Sequence, residues 1–315
     1  FDVHDDLSKG SSGGPIASMY PKFSLINDSR SKFLISSYFF SLNFYVKTLG
    51  FHNTGLLFYG SDDAKSAWIS KISSLGRDDL FELLTGDEIK DYLGASKIKE
   101  VLNVKKGLFL QPLELRKKLL KHDNIKKFLN EEFVSFLEDG NNVEVNFRSG
   151  LSKSYDALII CSGTGLKSFY NDLNVSYGLM AGVENKDLFN IKKPLNHQGY
   201  IIPKVNGINW IGSTYEKSPE FKKDEIKKKV QLNLEIFGHE DSEFEIKDYW
   251  EGERASPWNN LPRASRLRNT KNIYCIGGLG SRGLSYAPFL AEIVSSMIQK
   301  KQIPTSNTIF TWLKI

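Results

Sequence analysis

Cysteine is scarce: Cys161 and Cys275 are the two in 315 residues, and they stand far apart. Two distant thiols make neither a disulfide framework nor a cysteine zinc site, so a reducing cytoplasm is the expected compartment. Histidine is sparse too. His4, His52, His122, His197 and His239 are scattered without metal-ligand spacing, and no metal site is expected. No apolar run is long enough to span a bilayer, no signal peptide opens the chain, and no internal repeat is visible. Nor is there an excess of acid: 42 Lys and Arg face 37 Asp and Glu, a formal net charge of +5. That balance fits a lysine-rich enzyme or one with a polyanionic partner. A hydrophobic content of 40% is ample for one large or two smaller packed domains.

Strand and helix patterns interleave. "SRSKFLISSYFFSLNFYVKTLG" reads as a helix ended by Gly50, "GLLFYG" as a short strand, and "DDAKSAWISKISSLG" and "GDEIKDYLG" as helices with acidic starts and glycine stops. "KIKEVLNVKKGLFLQ" alternates like a strand pair, and "PLELRKKLLKH" is a helix with Pro112 in its first turn. "EEFVSFLEDGNNVEVNF" reads as a hairpin turning near Gly140, and "YDALIICSGTG" as a buried strand running into a glycine turn. "GYIIPKVNGINWIGSTYE" is a second hairpin, turning at Asn206-Gly207. A charged helix within "KSPEFKKDEIKKKVQLNLEIFG", the strand "EIKDYWEGERASP", the strand "NIYCIGG" and a long helix from about Ala287 to Lys300 complete the pattern. The class is mixed α/β with meander-like β segments.

One motif carries chemistry. In "NIYCIGGLGSRGLSYAPFLAEIVSSMI", Gly278, Gly280 and Gly283 spell G-x-G-x-x-G between a strand and a helix. A first dinucleotide-binding unit needs a second strand with an acid about 20 residues onward to hold the ribose. Only 32 residues follow Gly283, and none supplies that acid in that setting. The motif therefore reads as the last strand and helix of a nucleotide fold. Its glycines still let a ligand approach the backbone, and the helix start presents free N–H groups that suit an anion or a ring that becomes anionic.

These residues resemble a family. "GLGSRGLSYAPFLAE" is similar to the final flavin-contacting turn of the FAD-dependent D-amino-acid oxidase superfamily. Within it, the pattern is most similar to the oxidase half of the bacterial tRNA 5-methylaminomethyl-2-thiouridine biosynthesis bifunctional proteins. "GSSGGPIASMYPKFS", "YDALIICSGTG", "GYIIPKVNGINWIGSTYE" and "GERASPWNNLP" follow the family's order from residue 1 to about 300. Two positions depart from it: Tyr177 in "SYGLM" stands where the family has Arg, and Asn259 where it has Asp. The resemblance implies an α/β (α+β) fold: a Rossmann-like FAD-binding domain beside an antiparallel-sheet substrate domain. The expected division is residues 1–45, 112–168 and 262–315 for FAD, and 46–111 and 169–261 for substrate. The family's nucleotide fingerprint lies on its first strand. Since "FDVHDD" matches the end of the second, the FAD domain is expected to be N-terminally incomplete here, and a methyltransferase half is expected upstream.

The resemblance also implies roles. Asp2 would hold the adenosine ribose, Ser11, Ser12 and Gly13 the loop under the flavin, Val134 the adenine through its backbone, and Gly163 the second glycine turn. Gly280, Ser281, Arg282, Gly283 and Leu284 would close over the ring. Arg254 would bind a substrate carboxylate, which a planar guanidinium grips with two donors. Arg282 could reach flavin or substrate, and Tyr200 would line the pocket. The implied reaction removes the carboxymethyl group from 5-carboxymethylaminomethyl(-2-thio)uridine of tRNA, with no DNA or membrane partner. The runs "IKKKV", "RKKLLKH" and "RASRLRNTK" would provide a basic surface. Two alternatives stay open: an oxidase of a free small amino acid such as glycine, sarcosine or a D-amino acid, and an inactive fragment unable to hold FAD alone.

Overall fold

The computed structural model describes residues 1–6, 9–22, 26–94, 96–184, 189–220 and 222–314. Ser8 of the Gly/Ser loop, Phe23 and Ser24 of the Tyr-Pro stretch, and Phe221 ahead of the charged helix lie outside the described residues.

A 3-10 turn, Ser11–Gly13, leads into β1 (Ala17–Met19). Helix α1 (Ser29–Asn43) starts where the Asp28 carboxylate accepts the Ser31 amide at 2.7 Å. It continues through a π-turn, Phe44–Thr48, to Gly50, whose φ of 69° ends it. Then come β2 (Leu56–Phe58), α2 (Asp63–Ser73), β3 (Phe81–Thr85), α3 (Asp87–Leu93), β4 (Glu100–Val104), β5 (Leu108–Leu110) and α4 (Pro112–Leu119). A meander of β6 (Phe133–Asp139), β7 (Asn142–Phe147) and β8 (Ser152–Tyr155) precedes β9 (Leu158–Ile160) and a 3-10 turn, Gly163–Ser168. The central strands are β10 (Leu173–Glu184), β11 (Leu195–Asn196), β12 (Tyr200–Val205) and β13 (Ile208–Gly212), followed by α5 (Lys223–Phe237) and β14 (Glu245–Pro257). The chain closes with β15 (Arg263–Arg266), β16 (Ile273–Gly277), a 3-10 turn Gly280–Arg282, α6 (Gly283–Ile298) and α7 (Asn307–Leu313).

The largest sheet runs β14-β10-β13-β12-β11-β2-β4-β3 and is antiparallel except for the β11–β2 pair. Its spine is the twelve-pair register of β10 against β14, from Leu173 opposite Pro257 to Glu184 opposite Glu245. The turn between β12 and β13 has positive φ at both Asn206 (53°) and Gly207 (82°), the conformation that Asn-Gly favours in a two-residue hairpin. Alternation along the strands sorts the two faces. Leu179, Ala181, Val183, Ile201 and Ile211 point one way, into a core closed by Ile226, Val230 and Leu234 of α5. Met180, Tyr200, Trp210 and Trp250 point the other way. Burying each large aliphatic chain of the first face contributes about 1.5–3 kcal/mol, so this face is fixed and the opposite one is left for a site.

The second sheet is small: β15-β16-β9, with β16 and β9 parallel. Helix α6 covers it through Tyr286, Phe289, Leu290 and Ile293, and α1 packs on α6 through Phe33 and Leu34. Val143, Val145 and Phe147 of the meander pack beneath Ile160 and Cys275. Among the described residues, β9 has no partner on its outer edge.

Several expectations need correction. β4 and β5 are strands but not a pair: β4 lies between β2 and β3, while β5 pairs with β1. The strand read as buried, β9, leaves Ile159 46% exposed because that outer edge is open. Helix α6 begins at Gly283 rather than near Ala287. Pro288 lies inside it and offers no N–H to the Leu284 carbonyl, which accepts the Tyr45 hydroxyl at 3.0 Å instead. The strand β3 and the terminal helix α7 were absent from the sequence reading.

Candidate functional site

The site forms on the open face of β10 and β14. Trp250 covers Gly252 and lies 3.4 Å from where a Cβ on Gly14 would stand. Its neighbour on the same face, Arg254, lies flat over Gly178, the cross-strand partner of Gly252. Two glycines side by side thus seat a tryptophan and an arginine. Arg254 Nη2 donates to Ser213 Oγ at 3.2 Å, its Cζ is 5.5 Å from the Tyr215 ring centroid, and its buried Nη1 has no partner. A buried cationic donor without an acceptor is costly, and a carboxylate would satisfy it.

Tyr200 comes to the same place from β12. Its side chain backs onto Gly212, which faces Met180 as well. Burial pushes its phenol up to about 12, while Arg254 and the hydrogen-bonded Ser213 hydroxyl pull the other way. Tyr200 therefore stays a neutral hydroxyl at physiological pH. Tyr20, just after β1, is within electrostatic reach of Tyr200 and also lines a small cavity around Arg282.

Arg282 caps α6 and bonds the Tyr286 side chain. Lys22 lines the same cavity, and its ammonium is shifted down, first by burial, then by Arg282 and Arg30. Among the described residues, no ion pair joins Lys22 or Arg282 to a carboxylate. The start of α6 has no side-chain cap and no acid in its first turn, so its free N–H groups and positive dipole end are available. Gly278 and Gly280 have φ of 66° and 55°, which their turn demands. Gly283 has an ordinary helical φ of −50°, and a Cβ there would meet only Leu279 Cδ1 at 3.8 Å. Neither backbone nor packing requires glycine at that position, which leaves open space against the helix start.

The 3-10 turn Ser11–Gly13 reaches the same strand: the Ser11 hydroxyl donates to the Glu253 carbonyl. The Gly280 turn touches β14 at Ser256, 3.5 Å from a Cβ on Gly280. Both loops thus border β14. Ser281 is exposed and Leu284 half-buried beside them. Asp2 lies against the start of the meander, its amide on the Phe128 carbonyl and its carbonyl receiving the Glu131 amide. One carboxylate oxygen, Oδ1, is taken by His4, at 2.8 Å to the ring and 2.9 Å to the amide. Val134 is the residue at which the β6–β7 register shifts, so it stands outside the ladder, 55% exposed. Gly163 opens its 3-10 turn at φ 59° with nothing near its Cβ position.

The sequence reading missed Ser213, Tyr20, Lys22 and Arg116. Arg116, on α4, donates from Nη1 to the Ser12 carbonyl at 3.1 Å, and its Nε and Nη2 are buried without partners. It sat in a basic run read as surface. The available signal was its spacing: Arg116 lies four residues after buried Pro112 and beside buried Leu115, on the inward side of α4. Four other basic residues of those runs are paired with acids. Lys117 pairs with Glu114, Lys227 with Asp224 and Lys228 with Glu225, and Arg263 is buried against Asp172. Asn259 serves the structure of its own loop, where its Oδ1 accepts the Leu261 amide at 3.1 Å and lies 3.5 Å from Arg263 Nη1. Tyr177 bridges to Glu216 through both backbone groups. His197 is buried against Asn233, and no metal-binding cluster occurs among the described residues.

The family model of the FAD dependent oxidoreductases (DAO) matches residues 1–297. The chain belongs to the DAO family. Among curated DAO relatives, the tRNA 5-methylaminomethyl-2-thiouridine biosynthesis bifunctional protein MnmC of Campylobacter concisus is 22% identical over 98% of this chain and 53% of its own length. That of Pseudoalteromonas atlantica is 23% identical over 97% of this chain and 53% of its own. The chain thus spans about half the length of these relatives. Glycine oxidase from Geobacillus kaustophilus has the same fold, with a TM-score of 0.79 at 13% identity, covering 98% of this chain and 90% of that one. A fructosyl peptide oxidase superimposes with a TM-score of 0.80 at 12% identity, over 99% and 85% of the two chains. No helix among the described residues is long and apolar enough to cross a membrane.

Proposed function

We propose that this DAO-family chain is the FAD-dependent oxidase half of a tRNA-modifying protein, working in the cytoplasm on the carboxymethylaminomethyl group of a wobble uridine. The FAD-binding part would be residues 1–45, 112–168 and 262–315, and the substrate part 46–111 and 169–261. The observation that carries the reading is Arg254: a guanidinium seated on Gly178 with a buried, unpartnered Nη1, on a face otherwise lined by tryptophan and tyrosine.

Arg254 would grip the substrate carboxylate through Nη1, with Ser213 holding Nη2 in place. Tyr200, kept neutral by burial, would donate a hydrogen bond and fix the substrate's orientation without acting as a base. Tyr215 and Trp250 would exclude water around the carbon between amine and carboxylate. FAD, when bound, supplies the acceptor for the hydride lost from that carbon. The amine nitrogen would give up its proton to solvent, the resulting C=N bond would add water, and glyoxylate would leave from an aminomethyl uridine. For the cofactor, the room at Gly283 and the uncapped start of α6 suit the ring's electron-rich edge, with Gly280, Ser281, Arg282 and Leu284 around it. Asp2, Val134 and Gly163 would hold the adenosine end, and Ser11, Ser12 and Gly13 the floor of the ring.

A second reading, oxidation of a free small amino acid, is favoured by one observation: Lys117, Lys227 and Lys228 of the basic runs are each paired with an acid on their own helix, which weakens those runs as a platform for nucleic acid. Anaerobic flavin bleaching of the full-length protein by tRNA bearing the group, compared with free glycine, separates the two. The modified tRNA is expected to bleach faster, and the difference to shrink as salt rises. Arg254→Lys keeps the charge but loses the fork, and should weaken carboxylate binding by roughly 1.5–3 kcal/mol with flavin content unchanged. Equal bleaching by glycine replaces the tRNA reading, and an unimpaired Arg254→Lys protein removes the carboxylate role.

A further inference from the structure

We propose that Arg116 is a ligand of the dinucleotide's diphosphate, an assignment that rests on the FAD reading above. Its guanidinium lies beneath the Ser11–Gly13 turn, with Nη1 on the Ser12 carbonyl at 3.1 Å. The other edge, Nε and Nη2, is buried and has no hydrogen-bond partner. Those two N–H groups are parallel and coplanar, the geometry that grips two oxygens of one phosphate or carboxylate. Burial disfavours the cation, and Asp6 and Asp2 are the charges that offset this. Neither carboxylate bonds that edge, and Asp2 Oδ1 is already held by His4.

Position decides the ligand class. Ser12, in the loop assigned to the ring, accepts from Arg116 Nη1, and Asp2, assigned to the adenosine ribose, lies with Asp6 within electrostatic range of the same guanidinium. In a flavin dinucleotide the group between ring and ribose is a diphosphate of opposite charge to arginine. The helix holding Arg116 also starts with Pro112 and buries Leu115, so the side chain is anchored before any ligand arrives.

The test is equilibrium binding by the full-length apoprotein, followed by quenching of flavin fluorescence, with FAD and riboflavin as probes and ADP as competitor. Arg116→Gln should raise the FAD dissociation constant roughly 10- to 100-fold, the range for a charge-assisted contact. Riboflavin binding should change less than about twofold, because riboflavin has no phosphate. ADP should compete with FAD in the parent and lose that ability in Arg116→Gln. Arg116→Lys, which restores charge without the fork, should fall between the two. Thermal melts without flavin confirm that each variant is folded. Unchanged FAD and ADP binding in a folded Arg116→Gln protein overturns the assignment while the flavoprotein reading stands. Equal loss of FAD and riboflavin also overturns it, because the role would then be support of the Ser12 turn. A parent protein that binds neither FAD nor ADP overturns the reading itself, and the assignment with it.

Discussion

Replacing Gly178 by alanine puts a methyl carbon where the Arg254 guanidinium lies. A Cβ there would stand 2.5 Å from Arg254 Cζ and nearer still to both terminal nitrogens, so one of the two must move. Gly178 is not among the positive-φ glycines, and alanine suits its strand backbone. The group that yields is the far end of a long side chain, which can swing away at small cost. Two consequences separate. Stability should change by less than about 1 kcal/mol, since alanine also reduces the freedom of the unfolded chain. Substrate binding should weaken by roughly 1.5–3 kcal/mol, or about 10- to 100-fold, because Nη1 no longer faces the carboxylate. Thermal melts measure the first, and anaerobic flavin bleaching against substrate concentration the second. If Gly178→Ala binds a carboxylate substrate as well as the parent does, Arg254 is not held where it acts by that glycine. If the protein instead unfolds, the guanidinium is far less mobile than a surface-reaching side chain should be.

Two further perturbations address the ring site and the buried histidine. Gly283→Ala meets no atom closer than 3.8 Å and needs no unusual φ, so the fold should gain up to about 1 kcal/mol while FAD loading falls; a variant that gains stability and keeps full flavin content shows that no ring lies there. His197 is buried, and its pKa is pushed down from 6.5 to about 4, chiefly by desolvation. Below its ordinary range the unfolded chain takes up a proton that the folded one refuses. The stability present at neutral pH should thus erode by about 1.4 kcal/mol per pH unit, approaching about 3 kcal/mol near pH 4. Urea titrations of the parent and His197→Gln should show their stability difference shifting by that amount between pH 7 and pH 4, and a constant difference refutes the buried neutral imidazole.

Local signals carried much of this fold. The strand over Glu245–Pro257 was legible to the residue. Asn206-Gly207 announced its hairpin through turn chemistry alone. What stayed hidden depended on distant partners. Glu100–Val104 and Leu108–Leu110 look like neighbours, yet they join different sheets, and nothing local encodes that choice. Phe81–Thr85 does not alternate, since only its first and fourth residues are buried. Arg254 and Tyr200 were singled out by resemblance to family motifs, and the structure brings them together through Ser213. Ser213, Tyr20 and Arg116 were not found, because an isolated serine, tyrosine or arginine acquires meaning only from what folds against it. The start of α6 was placed about one turn late; Pro288 fits inside the helix because the Tyr45 hydroxyl takes the Leu284 carbonyl that proline leaves free.

The ladder between β10 and β14 has a consequence for how such a gene can change. Along β14, Glu251 and Glu253 face outward, while Gly252 and Arg254 face the site. Successive residues therefore write opposite charges on opposite faces, and the reading frame of the pairing selects which one the site receives. The ladder already absorbs one extra residue as a bulge at Lys247; a single codon deleted or inserted between that bulge and Arg254 without a second bulge would shift the frame by one step. The site would then receive a glutamate in place of its arginine, and the face that carries Leu179 and Ala181 would receive the tryptophan. Point substitutions can drift through this strand, but a one-residue length change inverts the electrostatics of the pocket in a single event. Length variation should therefore be confined to the loops, such as those on either side of α5, where no register is at stake.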